Sequence, residues 1–230
     1  MLSFLGMDSL TDLMQKAMPA NIIHTSQVRE SQAKVLGEAS SEETTMAYLQ
    51  AIADKNQVFK NYIGLGFNPN HLPSSILMNV FMNPTWLTSY TPYQAEISQG
   101  RLEALMNFQT LISELTGHEL ANASLLDEGS SAAEAMYMAW NISDFKKNKF
   151  FVDTNVYPYL KKCIRSKAHF LGIEVIEGEW QKTEIDNTFC GGFVQNPNND
   201  GVVRDLSAFA QKMKSAGAIS IIDADIASLM

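Results

Sequence analysis

Residues 149–177, KFFVDTNVYPYLKKCIRSKAHFLGIEVIE, carry the pattern that decides the fold. They predict a strand over 149–152, a helix over 157–170 and a strand over 173–177. The flanking sequence extends this alternation with a strand at 120–125, a helix at 130–142, a strand at 191–195, a helix at 204–216 and a strand at 219–223. Such alternation predicts an α/β domain with a largely parallel sheet and flanking helices.

The residues before this series have a helical pattern. A helix is predicted to begin near Ser40, which has Glu43 three residues later as its capping-box partner. Pro73 fits the first turn of a further short helix, which Pro84 is expected to end.

The longest periodic segment follows Pro92 and continues to Gly117, a residue that commonly ends helices. One face of this segment is apolar through Ile97, Leu102, Leu105, Phe108, Ile112 and Leu115. We therefore predict a long helix with a buried face.

These patterns divide the chain into two predicted domains. Residues 1–88 form a helical amino-terminal arm, and residues 89–230 form the first part of a large α/β domain. The apolar run 219–223 has the composition of a buried strand, yet only a few residues follow it. Because such a sheet needs further strands and covering helices, we expect the domain to be incomplete at its carboxyl end.

Composition limits the class of protein. The 230 residues are 46% hydrophobic and 18% charged, as in a globular domain able to bury a core. The formal net charge of -8 argues against nucleic acid as a partner, because phosphate binding needs clustered Lys and Arg. The only apolar run at the amino terminus, residues 1–7, is too short for a membrane span.

The cysteines and histidines do not form a metal-binding pattern. Cys163 and Cys190 lie in no ligand spacing and are predicted to be reduced thiols. The four histidines are scattered, so no metal site is predicted. The usual hydrolase, dinucleotide and nucleoside-triphosphate motifs are also missing from the sequence.

The loop 127–134, DEGSSAAE, is the first candidate site. A predicted strand, a glycine-containing turn and a helix that opens with two serines offer free N–H groups and hydroxyls to an anion such as phosphate. The alternative is that Ser130 or Ser131 is simply the N-cap of the helix.

The acids Asp223 and Asp225 are the second candidate site. They follow a predicted strand, and the carboxyl ends of parallel strands are where open α/β sheets bind ligands. A carboxylate there could hold a protonated ring nitrogen or a metal. The alternative is a helix cap or a solvated turn.

The third candidate is the segment YTPYQAE at 90–96, between two predicted helices. Its two phenols, Tyr90 and Tyr93, and its amide and carboxylate could line a pocket and hydrogen-bond a ligand. Alternatively, Pro92 sets a tight turn whose tyrosines pack against the long helix.

Four stretches of the chain resemble the glycine-cleavage P-protein family. They are YIGLGF at 62–67, SYTPYQAEISQGRLEALMNFQTLISELTG at 89–117, LANASLLDEGSSAAEAM at 120–136 and KFFVDTNVYP at 149–158. Weaker similarity extends from residue 2 to residue 229, and the chain is similar to the amino-terminal half of the family.

The resemblance implies a fold-type-I pyridoxal-phosphate-dependent transferase architecture built from two homologous halves. In such proteins pyridoxal phosphate is held by a lysine of the second half, glycine is decarboxylated, and the aminomethyl group passes to the lipoyl group of the H-protein. Expected partners are therefore the carboxyl-terminal half, the lipoylated H-protein and glycine, in a homodimer of the full protein. The chain alone is expected to be inactive.

The resemblance also assigns roles to four residues. Tyr90 and Tyr93 match tyrosines that reach the active site from the first half. Ser130 matches the hydroxyl position of a phosphate-cradle-like loop, and Asp225 matches the acid that in related enzymes pairs with the pyridine nitrogen. The last two are expected to lie in a degenerate cofactor site, and no residue of this chain is predicted to be catalytic.

Two alternatives to this function remain open. The chain could be a non-catalytic scaffold that stabilises the cofactor-bearing half, since Lys161, Lys162 and Lys167 lie in an early helix and not after a late strand. It could also belong to another decarboxylase family with the same fold. The expected compartment is a bacterial cytoplasm or a mitochondrial matrix, with the cytoplasm favoured.

Overall fold

The structure is a computed structural model that describes residues 1–23, 37, 39–67, 70–87 and 91–229. The chain divides into two compact units, Met1–Tyr62 and Ile63–Met230. The division into an arm of residues 1–88 and a first part of a larger domain at 89–230 stays a prediction.

Two helices among the described residues of the first unit have side-chain caps. Helix α1 spans Leu10–Ala17, and helix α2 spans Glu42–Ala53. The cap of α2 is Ser41, whose hydroxyl accepts the backbone N–H of Thr44 at 3.2 Å. The predicted capping box of Ser40 and Glu43 is therefore wrong by one residue, because the Ser40 hydroxyl bonds to Ser41 O and Thr45 instead.

The second unit begins with short helical segments. Helix α3 spans Ser74–Ile76 and continues as the π-helical turn Leu77–Phe81. Helix α4 spans Pro84–Leu87. The short helix predicted to follow Pro73 is confirmed, and it stops before Pro84 with Met82 as its C-cap. Pro84 is itself the first residue of α4, where its missing N–H has no helical partner to lose.

Helix α5 spans Gln99–Thr116 and ends where Gly117 adopts φ +72°, the left-handed conformation that glycine accepts readily. The predicted end at Gly117 is confirmed, but the helix begins at Gln99 and not directly after Pro92, and the prediction of a buried face is wrong. None of its residues is buried, and Phe108 and Leu115 of the predicted face are 40% and 44% exposed. A periodic pattern predicts that a helix has an apolar face. That face is buried only where another part of the protein covers it.

The predicted parallel sheet is confirmed. It consists of β1 at Lys149–Asp153, β2 at Glu174–Gly178, β3 at Phe189–Asn196 and β4 at Ile219–Ala224. The strand order is β2-β1-β3-β4, and all three neighbouring pairs are parallel. The carboxyl ends of all four strands therefore lie at one edge of the sheet.

Three helices complete the α/β layers: α6 at Glu128–Ile142, α7 at Pro158–Leu171 and α8 at Ser207–Ser215. Helices α6 and α7 pack with one face of the sheet around Met136, Leu160 and Phe193. Helix α8 packs with the other face around Phe151 and Phe209. The two cores fix the positions of the strand ends at which the candidate site lies.

Most predicted elements of the alternating series occur with shifts of up to three residues, but one is wrong. Residues 120–125 form no strand. Ser124 adopts φ +105°, which interrupts extended backbone, and Leu120 is 89% exposed. The apolar letters of this segment suggested a strand, although a strand also requires a neighbour to complete its hydrogen-bond ladder.

Strand β4 also differs from its prediction as a buried strand. It lies at the edge of the sheet, where Ser220 and Ile222 are exposed. Its apolar residues on one face pack toward α6, and the other edge of the strand pairs with nothing among the described residues.

Of the two thiols, Cys190 is buried and Cys163 exposed, and both are free as predicted.

Close packing of a helix on the sheet makes Gly191 sensitive to substitution. A Cβ at Gly191 would lie 2.9 Å from the Ala139 Cβ and 3.1 Å from the Ile219 carbonyl oxygen. We expect Gly191→Ala to lower the free energy of unfolding by about 1–3 kcal/mol, because α6 and β4 must shift. Urea unfolding followed by circular dichroism measures the change.

The adjacent Gly192 provides the matched control. A Cβ there would meet the flexible end of Met213 at 2.7 Å. Since a thioether can change rotamer, Gly192→Ala should cost less than about 1 kcal/mol. Equal losses for the two variants would contradict the assignment of the strain to the α6 and β4 contacts.

Candidate functional site

A cleft of about 320 Å³ lies at the carboxyl ends of β3 and β4. The side chains that bear polar groups in its wall are Glu128, Tyr157, Gln195, Asn196, Asp223 and Asp225. Open parallel sheets bind ligands at this position, because loops and helix amino termini converge there. The cleft therefore occupies the place at which the fold favours a site.

The turn Gly64–Phe67 covers one side of the cleft. The Phe67 N–H donates to Gly64 O at 3.1 Å, and Gly66 adopts φ +100°. A Cβ at Gly66 would lie 2.5 Å from the Tyr157 ring, so only glycine fits. Phe67 stacks on Tyr159 at 5.6 Å, and Tyr159 stacks on Tyr157 at 6.0 Å. This stack of three rings holds the turn against the cleft.

The floor of the cleft is formed by the last residues of β3. The Gln195 side chain is buried, and its Oε1 accepts the Tyr157 backbone N–H at 2.9 Å. The Gln195 side chain also lies beside Asp223, where it partly offsets the rise in the pKa of that carboxyl group. The Asn196 carbonyl oxygen accepts the Asp225 N–H at 3.2 Å. These bonds fix the orientation of the side chains at the ends of β3 and β4.

Two carboxyl groups lie in contact in this cleft. Burial, and then the charge of Asp223 and the hydrogen bond to it, raise the pKa of Glu128 from 4.5 to about 7. Burial also raises the pKa of Asp223, and the neighbouring side chains of Glu128 and Gln195 partly offset that rise. The pKa of Tyr157 is raised by burial and by the same two carboxyl groups. At neutral pH the cleft is therefore a site that can hold a proton.

The amino terminus of α6 is capped by a residue that was not predicted as its cap. The prediction that Ser130 or Ser131 is the N-cap is wrong: the N-cap is Asp127, whose carboxylate accepts the Ser130 N–H at 2.6 Å. Hydrogen bonds from the Ser130 backbone and side chain hold the pKa of Asp127 below its usual value. The proposed phosphate-cradle position is thus already filled by a carboxylate of the chain.

Asp225 lies directly after β4 and lines the cleft. Its carboxylate accepts the Ala227 N–H at 2.8 Å and caps the short 3-10 turn Ile226–Ser228. The capping alternative given for this residue is therefore confirmed, and its pairing with a pyridine nitrogen stays a prediction.

The tyrosine segment is described only in part. Tyr90 lies outside the described residues. The Tyr93 N–H donates to Thr91 O at 2.8 Å, and the Tyr93 side chain is 85% exposed. The phenol of Tyr93 is therefore available to a ligand or another chain, and it does not pack against the long helix.

The structure brings Asp223 and Asp225 together with Glu128 of the first candidate loop, and with Tyr157 and Gln195, which sequence reasoning did not single out. Neither Tyr93 nor Ser130 lines this cleft. One signal was available for Gln195, since it is a polar residue that ends the apolar run 189–194.

The cleft does not fit pyridoxal phosphate. The described residues that line it include neither lysine nor arginine, whereas Glu128 and Asp223 would repel a phosphate. The nearest helix amino terminus is already bonded to the Asp127 carboxylate. Chemically, this arrangement can exchange a proton and donate or accept hydrogen bonds, but it has no group that could form a Schiff base.

The described residues contain no group of three or more His, Cys, Asp or Glu side chains that could hold a metal ion. Among the helices of the described part of the chain, none is long and apolar enough to span a membrane.

The fold and the cleft define an α/β protein with an open parallel sheet and a ligand-type cleft at its carboxyl edge. Because one fold of this class serves many functions, the fold alone does not identify the family.

The whole chain, residues 1–230, matches the family model of the glycine cleavage system P-protein. It is 45% identical to glycine dehydrogenase (decarboxylating) of Nostoc sp. and 43% identical to that of Teredinibacter turnerae. All of this chain, but only 23% of each relative, is covered. The chain therefore belongs to the glycine cleavage system P-protein family and spans about a quarter of these relatives.

A solved structure supports the same assignment. The crystal structure of glycine decarboxylase (P-protein) of the glycine cleavage system, in inhibitor-bound form, is similar with a TM-score of 0.76 at 30% sequence identity. The match covers 99% of this chain and 51% of that one. The predicted fold-type-I α/β architecture is thereby confirmed.

Proposed function

We propose that this chain is part of a glycine dehydrogenase (decarboxylating), which decarboxylates glycine and passes the aminomethyl group to the lipoyl group of the H-protein. The observation that carries the proposal is the match of the whole chain to the P-protein family, with 45% identity to a relative named for this activity. The bacterial relatives favour a cytoplasmic location.

The cofactor, pyridoxal phosphate, is proposed to be bound through a lysine outside this chain. The acidic lining of the cleft and the self-capped terminus of α6 support this assignment. Pyridoxal phosphate supplies an electron sink for the bond that breaks. The lysine-bearing partner would be the carboxyl-terminal half of the protein, and the full protein would be a homodimer.

The contribution of this chain is proposed to be interface and pocket residues. Tyr90 and Tyr93 are the proposed pocket residues, and the exposure of the Tyr93 phenol is compatible with that role. Ser130 and Asp225 remain proposed members of a degenerate cofactor site that retains its fold without its ligand.

We expect Tyr93→Phe to lower the exchange of labelled bicarbonate into glycine by up to about tenfold, the effect of losing one hydrogen bond to a bound ligand. The assay uses this chain reconstituted with the remainder of the protein and lipoylated H-protein. Tyr48→Phe removes a phenol that is 66% exposed on α2, and it should leave the rate unchanged.

The same assay tests the alternative of a non-catalytic scaffold. A scaffold role predicts full exchange for Tyr93→Phe and for the double variant with Tyr90→Phe, together with loss of assembly when the chain is omitted. Exchange with a larger amino acid in preference to glycine would instead indicate another decarboxylase. No exchange by the wild-type assembly would contradict the proposed activity.

A further inference from the structure

The carboxyl groups of Glu128 and Asp223 meet where two elements converge on the cleft. Glu128 is the first residue of α6, and Asp223 lies near the carboxyl end of the edge strand β4. The Asp223 Oδ2 atom is buried and has no hydrogen-bond donor among the described residues. A buried acceptor without a donor is costly, so this atom needs an explanation.

The groups that face the pair supply no positive charge. Gln195 approaches from β3, Tyr157 from the residue before α7, and Asp225 from the end of β4. No lysine or arginine of the described part of the chain lines the cleft. Two carboxylates that are in contact and partly shielded from water cannot both be ionised without a cation, and one of them retains a proton.

A proton on Glu128 would supply the missing hydrogen-bond donor and remove one of the two facing negative charges. The protonated carboxyl group becomes an O–H donor and can give Asp223 Oδ2 the hydrogen bond that it otherwise does not have. A hydrogen bond from O–H to a carboxylate is also stronger than one between neutral groups.

We propose that Glu128 and Asp223 share one proton, and that the resulting O–H···O hydrogen bond is a pH-dependent latch between the first turn of α6 and the end of β4. The latch joins two elements that line the cleft. It is a property of the chain itself and does not depend on the proposed enzymatic activity.

The direction of the pH dependence follows from the raised pKa of Glu128. The latch contributes fully below the ordinary carboxyl pKa of 4.5, and its contribution is lost as the pH rises through about 7. Above that pH two negative charges face each other, so the stability of the chain should decrease.

The titration of the wild-type chain is the first test. In a ¹³C carboxyl NMR titration of the full chain, we expect one carboxyl signal to titrate near pH 7, together with a coupled response of the second. Ordinary and independent titration of all Asp and Glu signals near pH 4 would overturn the proposal. This measurement needs no variant to fold.

Amide variants provide the second test. Between pH 6 and pH 8.5 the wild-type folding equilibrium constant should fall by about five- to tenfold, because each pKa unit corresponds to a factor of ten and solvent screening reduces the full value. Glu128→Gln should lose this decrease, because its amide donates to Asp223 at every pH. Asp223→Asn removes the second charge but leaves Glu128 partly buried, so it should reduce this decrease without abolishing it.

Glu119→Gln is the matched control, since Glu119 is exposed and belongs to the same unit. It should keep the wild-type decrease. A decrease of the same size in Glu128→Gln would overturn the proposal, as would additive effects of Glu128→Gln and Asp223→Asn in the double variant, because latched residues must be coupled.

Discussion

Replacing Phe193 by alanine is expected to lower the free energy of unfolding by about 3–5 kcal/mol, the usual cost of removing a buried aromatic ring. Phe193 lies on the central strand β3, is 2% exposed and belongs to the core that α6 and α7 form with the sheet. The cavity would lie between three elements that cannot move together to fill it. Urea unfolding of the full chain measures the loss.

Phe170→Ala is the control for this prediction. The Phe170 ring lies on α7 and is 85% exposed, so its removal should change the free energy of unfolding by no more than about 0.5 kcal/mol. A similar loss for both variants would mean that the core described around Phe193 does not determine the stability of the chain.

The second large effect is expected for Asp153→Ala, at about 2–4 kcal/mol. Asp153 is buried at the carboxyl end of β1, and its two oxygens accept the N–H groups of Asn155 at 2.8 Å and Trp180 at 3.0 Å. Alanine would leave both donors without a partner, and each lost bond to a charged acceptor costs about 1–3 kcal/mol. The loss is read from the midpoint of urea unfolding.

Two further variants separate the effect of the Asp153 charge from the effect of its shape. Asp153→Asn keeps one carbonyl acceptor and nearly the same shape, so its loss should be intermediate. Asp8→Ala removes an exposed carboxylate and should have little effect. If Asp153→Asn were as stable as the wild type, the charge of Asp153 would be irrelevant and only its shape would matter.

The sequence predicts the α/β layers well where local and long-range preferences agree. Phe150, Phe151 and Val152 favour a strand, and all three are buried in β1. The same kind of apolar pattern fails at 120–125, because a strand depends on a neighbour that the local sequence cannot specify. It fails again for α5, whose apolar face is real but is not covered by the described residues.

The candidate site is less accessible to sequence reasoning. The two acids at the end of β4 could be identified because the end of a strand is a local feature. Gln195 had only its place at the end of an apolar run as a signal, and its bond to Tyr157, 38 positions away, could not be predicted. The amino-acid sequence also does not show that Glu128 contacts Asp223, because that contact depends on the packing of α6 against β4.

The cap of α6 has a consequence for anion binding. The Asp127 carboxylate is an intramolecular competitor: it is tethered three residues from the N–H group that it bonds. A tether this short corresponds to an effective concentration on the order of millimolar or higher. A dissolved phosphate ester would have to outcompete this attached carboxylate, so α6 discriminates against weakly bound anions without any residue dedicated to excluding them.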